Sequence, residues 1–397
     1  MHSNNRKYFW NIVLILTVTV IAMYFALRDN FKEIMHALGQ INFFSLLAIL
    51  AWGLTINIVI GVGLMFLGRR YQKRYSLQDG IIVAFVGTFF AGITPSSTGG
   101  QFGQVYVLKK QGINMSDGVS LLWADFIIYQ TTMMIYVTVL FILRFSHYVN
   151  LNAWFWIVFG GYLINIVVIV GLYTIALFPK LYIKLCRWAV NVLGKMHLIK
   201  DPEHKMKQWV AKMTSFTGEV KLLSQDKRLI IQLMLVNFVR LTLYYALPYA
   251  VALALGIRLN FGQFVDTLAL SSFVTMANCF VPLPGASGGT EVFFTMLFSG
   301  LFGPLTGAVL LLWRFSSYYL PVIAGALVFM VFKNHEDAKE DQAASLAAKG
   351  QGIAPPMPPV GQVHEIEKVR PLQPDEVKEL VPPKTSSKVD LNSKPSR

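Results

Sequence analysis

The chain has 397 residues, of which 54% are hydrophobic and only 14% are charged, and its mean hydropathy is +0.51. A soluble protein carries roughly 25% charged residues, so the composition excludes an ordinary soluble domain and predicts a polytopic membrane protein. The net charge of +14 belongs to residues 1–332, because residues 333–397 hold ten basic and ten acidic side chains. The basic residues cluster in loops between apolar runs, which indicates membrane orientation rather than binding of nucleic acid.

Six apolar runs are long enough to cross a membrane as helices, since a hydrocarbon core of about 30 Å needs about 20 residues. The first run, residues 8–27, follows Arg6-Lys7 and no small-residue cleavage site follows it, so we expect an uncleaved span. The other runs lie near residues 43–67, 119–143, 154–178, 229–255 and 305–332. The sequence therefore predicts an all-α fold with six full spans in a transmembrane domain covering residues 1–332.

Two further apolar regions contain short turn-forming strings. Residues 94–100 read TPSSTGG, and residues 284–289 read PGASGG, with the proline and both glycines 189 residues apart. Beside them, residues 81–93 would form a helix of only about 20 Å, and residues 292–302 a shorter one. Irregular backbone at membrane depth is tolerated where protein or a water-filled cavity surrounds it, so we predict two re-entrant helical hairpins. The alternative is that the strings are kinks, and residues 264–281 are long enough to cross alone.

The sequence predicts that the two interrupted regions belong to a duplicated unit, because each is followed by Leu-Leu-Trp, at residues 121–123 and 311–313. With the N-terminus inside, the inside loops hold 19 lysines and arginines and the outside loops hold 4. The positive-inside rule then predicts cytoplasmic N- and C-termini. The first hairpin enters from the cytoplasm and the second from outside. This arrangement predicts an inverted repeat with a substrate site where the breaks meet.

The remaining segments connect and follow these elements. Residues 180–228 carry eleven basic side chains. Lys180, Lys184, Arg187, Asn191 and Lys195 recur at helical spacing beside apolar residues, which favours a basic amphipathic helix on the anionic inner leaflet. Its role is either anchoring or recognition of a lipid headgroup. Residues 333–397 contain proline clusters and few large apolar side chains, so we predict a disordered cytoplasmic tail after an alanine-rich start.

Charged side chains inside apolar segments are costly and are usually paired or functional. Arg240 lies deepest in its predicted span. Glu291 follows the second Gly-Gly pair at the start of a helix, where a carboxylate either serves the substrate or complements the helix dipole. Asp125 and Arg314 follow the two Leu-Leu-Trp strings, so they either form an ion pair between the repeats or contact a lipid headgroup. Asp266 is the fifth such residue.

The Gly-Gly turns offer a candidate anion site, because helix N-termini present free N–H groups and glycine lets a phosphate approach the backbone. The alternative role for these small residues is close helix packing. No fingerprint of a nucleotide, metal or other cofactor site occurs, and we predict no catalytic residue. The predicted lipid-binding residues are Thr94, Pro95, Ser96, Gly99, Gly100, Gln101, Asp125, Arg240, Pro284, Gly285, Gly288, Gly289, Glu291 and Arg314.

Over about residues 8–332 the chain resembles the lysylphosphatidylglycerol synthase transmembrane-region family, the flippase-like membrane domain of the multiple peptide resistance factor. The resemblance rests on residues 94–103, residues 281–291, and Leu312-Trp313-Arg314 with Pro321. It implies translocation of a lipid in the bacterial plasma membrane, with resistance to cationic antimicrobial peptides as the associated role. Phe102-Gly103 stands where the family often has Gly-Glu, so a carboxylate expected there is missing.

Three functions follow as expectations. The first is a flippase that moves a polar or charged, even aminoacylated, phospholipid between leaflets. The second is a non-transporting membrane protein that binds lipid and recruits a partner enzyme; a second copy of the chain is another candidate partner. The third is the membrane component of a phosphatidylglycerol lysyltransferase. In bifunctional family members a soluble aminoacyltransferase domain follows the membrane part, and the 65 residues after Phe332 are too few for it, so we expect no enzyme activity from this chain alone.

Overall fold

The computed structural model describes residues 31–148, 153–177, 184 and 225–348, all of which lie within one compact unit, Met1–Pro356. The predicted first span and most of the predicted basic connection lie outside the described residues. The same holds for the predicted tail beyond Ala348. The last described helix continues across Phe332, where the transmembrane domain was expected to end.

Every regular element in the described ranges is helical, which confirms the prediction of an all-helical chain for this part. Four helical segments are long and apolar enough to cross a membrane: Phe43–Tyr71, Met115–Leu143, Lys227–Ala254 and Pro284–Lys339. Short 3-10 turns lie at Pro95–Ser97, Asn278–Phe280, Pro284–Ala286 and Gly303–Leu305, and a π-helical turn lies at Phe315–Tyr319. The α-helices are α1 (Phe31–Gln40), α2 (Phe43–Tyr71), α3 (Leu77–Ile93), α4 (Gly99–Lys110), α5 (Met115–Tyr148), α6 (Ala153–Leu177), α7 (Lys227–Ala254), α8 (Phe261–Ala277), α9 (Gly289–Phe302), α10 (Thr306–Arg314) and α11 (Leu320–Ala348).

Helices α3 and α8 begin alike and have the same length. In α3 the Ser76 side chain accepts the Asp79 N–H and the Asp79 side chain accepts the Ser76 N–H; Asn260 and Gln263 do the same in α8. Such reciprocal caps satisfy two N–H groups that a helix start leaves free. Each helix has 17 residues, about 25 Å at 1.5 Å per residue. Each then packs against the helix that follows its turn, so α3–α4 and α8–α9 are helical hairpins.

The bases of the two hairpins lie near opposite ends of α7. At the N-terminal end of α7, Asp226 forms an ion pair of 3.2 Å with Arg70 in the last turn of α2, just before the α3–α4 hairpin. At the C-terminal end of α7, residues 254–256 line a cavity of about 680 Å³ with Gln40, Ile41 and Leu305, the last of which follows the α8–α9 hairpin. Because α7 has 28 residues, its two ends are about 42 Å apart.

Hydrogen bonds close the base of the α3–α4 hairpin. The Tyr75 hydroxyl donates to Gln111 Oε1 at 2.6 Å, and the Gln111 amide donates to the Asp79 carbonyl at 3.1 Å. Burial, with the nearby Asp79 carboxylate, raises the pKa of the Tyr75 phenol, so this group stays a neutral donor over the physiological range. The hairpin is therefore fixed where its two helices meet the rest of the bundle.

Helices α2 and α3 approach closely at glycines, and this gives the first prediction. A Cβ on Gly61 would lie 2.8 Å from the Ile81 backbone, whereas one on Gly63 would lie 3.5 Å from Val236, an ordinary contact. We expect Gly61→Ala to lower the free energy of unfolding by about 1–3 kcal/mol through overpacking. Gly63→Ala is the control and should raise it by up to about 1 kcal/mol, because alanine favours the helix. Thermal unfolding of the purified variants measures both, and equal effects of the two changes would contradict the packing argument.

Candidate functional site

The tips of the two hairpins are in contact. The 3-10 turn Pro95–Ser97 between α3 and α4 touches the 3-10 turn Pro284–Ala286 before α9, although 189 residues separate them. Both turns contain left-handed backbone, with φ of 50° at Ser96 and 58° at Gly285. Ala286 is also left-handed, with φ of 49°, which costs a non-glycine residue roughly 1–2 kcal/mol. Contacts around the tips therefore hold a backbone shape that their own sequence does not favour.

The first tip presents hydroxyl groups at its surface. Thr94 Oγ1 donates to the Phe90 carbonyl at 2.7 Å and accepts the Gly99 N–H at 2.8 Å, which closes the turn onto the end of α3. Residues 95–98 are exposed, as is Gln101, while Gly100 is buried against α3. Of the predicted binding residues in this string, Pro95, Ser96 and Gln101 are thus the most accessible.

The second tip encloses a buried ion pair. Arg314 Nε donates to Glu291 Oε1 at 2.8 Å, and the two side chains are 4% and 0% exposed. The other oxygen, Oε2, accepts the Gly288 N–H at 2.6 Å, and Arg314 Nη2 donates to the Gly285 carbonyl at 3.0 Å. Glu291 therefore serves the start of α9 and neutralises Arg314. The Gly288 N–H, expected to be available to a phosphate, already has this carboxylate as its partner.

Asp125 and Arg240 form a second charged cluster, between α5 and α7. Arg240 is the basic side chain that acts electrostatically on Asp125, and its guanidinium lies 4.3 Å from the centre of the Tyr129 ring. Both charged side chains are half-buried, and the described residues contain no direct salt bridge between them. The ion pair considered between Asp125 and Arg314 does not form, because the carboxylate bonded to Arg314 is that of Glu291.

Tyr318 links the two tips and is not among the residues predicted from the sequence. Its hydroxyl donates to the Gly92 carbonyl, near the end of α3, at 2.8 Å. Its ring lies 4.6 Å from the Arg314 guanidinium and covers Gly285, where any Cβ would collide with it. Tyr318 stands four residues after Arg314, a spacing that places two helical side chains side by side. The arginine–aromatic pair is therefore predictable from the sequence. The contact of Tyr318 with Gly92, 226 residues away, leaves no trace in the sequence.

The structure divides the predicted binding residues into three groups. Tyr244 of α7 packs against Trp313, with ring centroids 6.0 Å apart, and is within electrostatic range of both Arg240 and Arg314. Gly289 is packed against Val281, so its small size serves the turn before α9. The groups are the first tip (Thr94, Pro95, Ser96, Gly99, Gly100 and Gln101), the second tip with its ion pair (Pro284, Gly285, Gly288, Gly289, Glu291 and Arg314), and the cluster of Asp125 with Arg240.

These features define a helical membrane protein in which two broken-helix tips meet beside buried charge. Residues 11–325 match the family described as the lysylphosphatidylglycerol synthase transmembrane region, so the chain belongs to that family. This match confirms the family assignment that the resemblance of residues 94–103 and 281–291 suggested. No curated protein matches the chain significantly. Family membership and the apolar helices indicate a membrane protein with a role related to lipids.

Proposed function

We propose that the chain is a flippase that moves a phospholipid with an anionic or aminoacylated headgroup between the leaflets of the bacterial plasma membrane. The observation that carries the proposal is the contact between the tips Pro95–Ser97 and Pro284–Ala286. Broken helices that meet inside a bundle form the substrate sites of many transporters, and alternating access moves the protein around such a site. Membership of a lipid-synthesis membrane family supports a lipid as the substrate.

An inverted repeat is part of this proposal. The order of a long helix, a hairpin and a long helical segment occurs twice, as α2, α3–α4, α5 and as α7, α8–α9, α10–α11. The hairpin bases near opposite ends of α7 support re-entry from opposite faces. The bias of basic residues between loops supports cytoplasmic termini. Six full spans, the first of them outside the described residues, complete the proposed topology.

The two charged clusters have different tasks in this proposal. The Glu291–Arg314 pair is sealed and electrically neutral, so it holds the second tip in shape. Asp125 and Arg240 are half-buried and not directly bonded to one another, so they contact the headgroup together with the exposed hydroxyls of the first tip. A guanidinium suits a phosphate, because its N–H groups donate two parallel hydrogen bonds. The Asp125 carboxylate would bind the ammonium group of an aminoacylated headgroup.

Lipid movement by the purified protein tests the proposal. We expect proteoliposomes containing the full chain to expose inner-leaflet fluorescent phosphatidylglycerol or lysylphosphatidylglycerol to an external quencher faster than empty vesicles do. Asp125→Asn and Arg240→Gln should each lower the rate about 10-fold or more, because each removes a charged hydrogen-bonding group. Arg258→Gln is the matched control, since it removes the same charge from an exposed loop residue, and it should leave the rate unchanged. A wild-type rate equal to that of empty vesicles would refute the flippase.

One observation favours a second function, a lipid-binding membrane protein that recruits another enzyme. Phe102-Gly103 stands where the family often has Gly-Glu, so no carboxylate is present there, and the second tip carries no unneutralised charge. Binding of the labelled lipid without movement between leaflets would support this function. Formation of lysylated lipid after addition of lysyl-tRNA would instead indicate the transferase component.

A further inference from the structure

We propose that Tyr318 is the positioning residue that makes the two hairpin tips open and close as one unit. The inference rests on the proposed function, because it assigns the coupling that alternating access at these tips requires. It concerns a side chain that touches both hairpins and lies outside the residues expected to bind lipid.

Three contacts meet on this one side chain. The hydroxyl holds the first hairpin through the Gly92 carbonyl at 2.8 Å. The ring face holds the second through Arg314, 4.6 Å away, and Arg314 in turn bonds the Gly285 carbonyl and Glu291. The ring also fills the space above Gly285 that any larger residue would occupy. A displacement of Tyr318 therefore releases a bond to each hairpin at the same time.

The backbone that carries Tyr318 departs from regular α-helix, and this irregularity gives the side chain a route to move. Phe315–Tyr319 is a π-helical turn between α10 and α11, and π turns inside α-helices are frequent at functional sites. The turn lies against Gly53 of α2, where a Cβ would collide with the Ser316 carbonyl. Shifting the π register by one residue turns the side chains that follow by about 100°, which would take Tyr318 away from Gly92 and Arg314 together.

Thiol accessibility at the second tip tests the coupling without measuring transport. Thr290 is 1% exposed at the start of α9, so Thr290→Cys, in a chain with Cys186→Ser and Cys279→Ser, reports opening through reaction with an impermeant maleimide. Tyr318→Phe keeps the ring and removes the hydroxyl, and with it the bond to the Gly92 carbonyl of the first hairpin. We expect it to raise the reaction rate about fivefold, the effect of one hydrogen bond of ordinary strength.

The control is Tyr162→Phe, which removes the contact of the Tyr162 hydroxyl with Thr138 at 2.8 Å between α5 and α6. It should leave the maleimide rate at Thr290→Cys unchanged. Equal rates in the Tyr318→Phe and parent proteins, or an equal rise with the control, overturn the proposal.

Hydrogen exchange of the unsubstituted chain in lipid nanodiscs is a second measurement that does not depend on any variant folding. Peptides covering residues 90–100 and residues 284–292 should exchange in one correlated step, and independent exchange of the two tips overturns the coupling. If the tips open together but vesicles show no lipid movement, the flippase fails and the coupling holds. If lipid moves while the tips exchange independently, the coupling fails and the flippase holds.

Discussion

Replacing Arg314 with methionine is expected to lower the free energy of unfolding by about 3–5 kcal/mol, the usual effect of leaving one charge of a buried pair without its partner. The Glu291 side chain is 0% exposed, so its carboxylate cannot turn to water when the guanidinium is gone. The substitution also removes the bond from Nη2 to the Gly285 carbonyl and the cation over the Tyr318 ring. Three supports of the second tip are lost in one step.

The double variant Glu291→Gln with Arg314→Met separates charge from packing. A glutamine can still accept the Gly288 N–H that Glu291 accepts at 2.6 Å, and no charge then remains buried. We expect the double variant to regain at least half of the free energy of unfolding that Arg314→Met loses. This gives a coupling energy of about 1–3 kcal/mol, as measured for residues in direct contact. Additive losses would show that the two side chains act independently.

The exposed pair of Arg70 with Asp226 is the control for this experiment. Its side chains are 31% and 39% exposed, so Arg70→Met should cost about 0–1 kcal/mol. Thermal unfolding in one detergent, with all variants purified alike, gives the comparison. A loss for Arg314→Met no larger than that for Arg70→Met would contradict the role assigned to the buried pair.

The contact between the two tips could be predicted from the sequence, because it depends on composition and on a proline–glycine string that occurs twice. Two proline–glycine strings at the same spacing in apolar surroundings predict two breaks, and the structure has a turn at Pro95–Ser97 and another at Pro284–Ala286. The position of Glu291 was also predictable, since a carboxylate in the first turn of a helix satisfies its N–H groups and its dipole.

Partners across the bundle were not predictable in the same way. Arg314 and Glu291 are 23 residues apart on different helices, and Tyr318 and Gly92 are 226 residues apart. Such contacts depend on how α9, α10 and α3 pack, and no periodicity along the chain encodes that packing. For the same reason the sequence left open whether Arg314 pairs with Asp125, and the structure places Glu291 there instead.

Two adjacent substitutions at the second tip should have opposite effects, although both positions are left-handed. At Gly285, φ is 58° and a Cβ would collide with the Tyr318 ring. Gly285→Ala is therefore expected to lower the free energy of unfolding by about 2–4 kcal/mol, since backbone strain and overpacking add. At Ala286, φ is 49°, and Ala286→Gly should raise it by up to about 1 kcal/mol because glycine adopts this conformation without strain.

The Tyr318 ring explains the difference, and a second substitution tests that explanation. Tyr318→Leu shortens the side chain that the added methyl group would strike, so its cost should be about 1–3 kcal/mol smaller in the Gly285→Ala background than in the parent chain, the overpacking part of the loss. In the parent chain the same substitution can only destabilise, because it breaks the bond to Gly92 and uncovers Arg314. Thermal unfolding of the four proteins measures both effects. If Tyr318→Leu destabilises both backgrounds equally, the glycine at position 285 is required by its backbone alone and not by the ring above it.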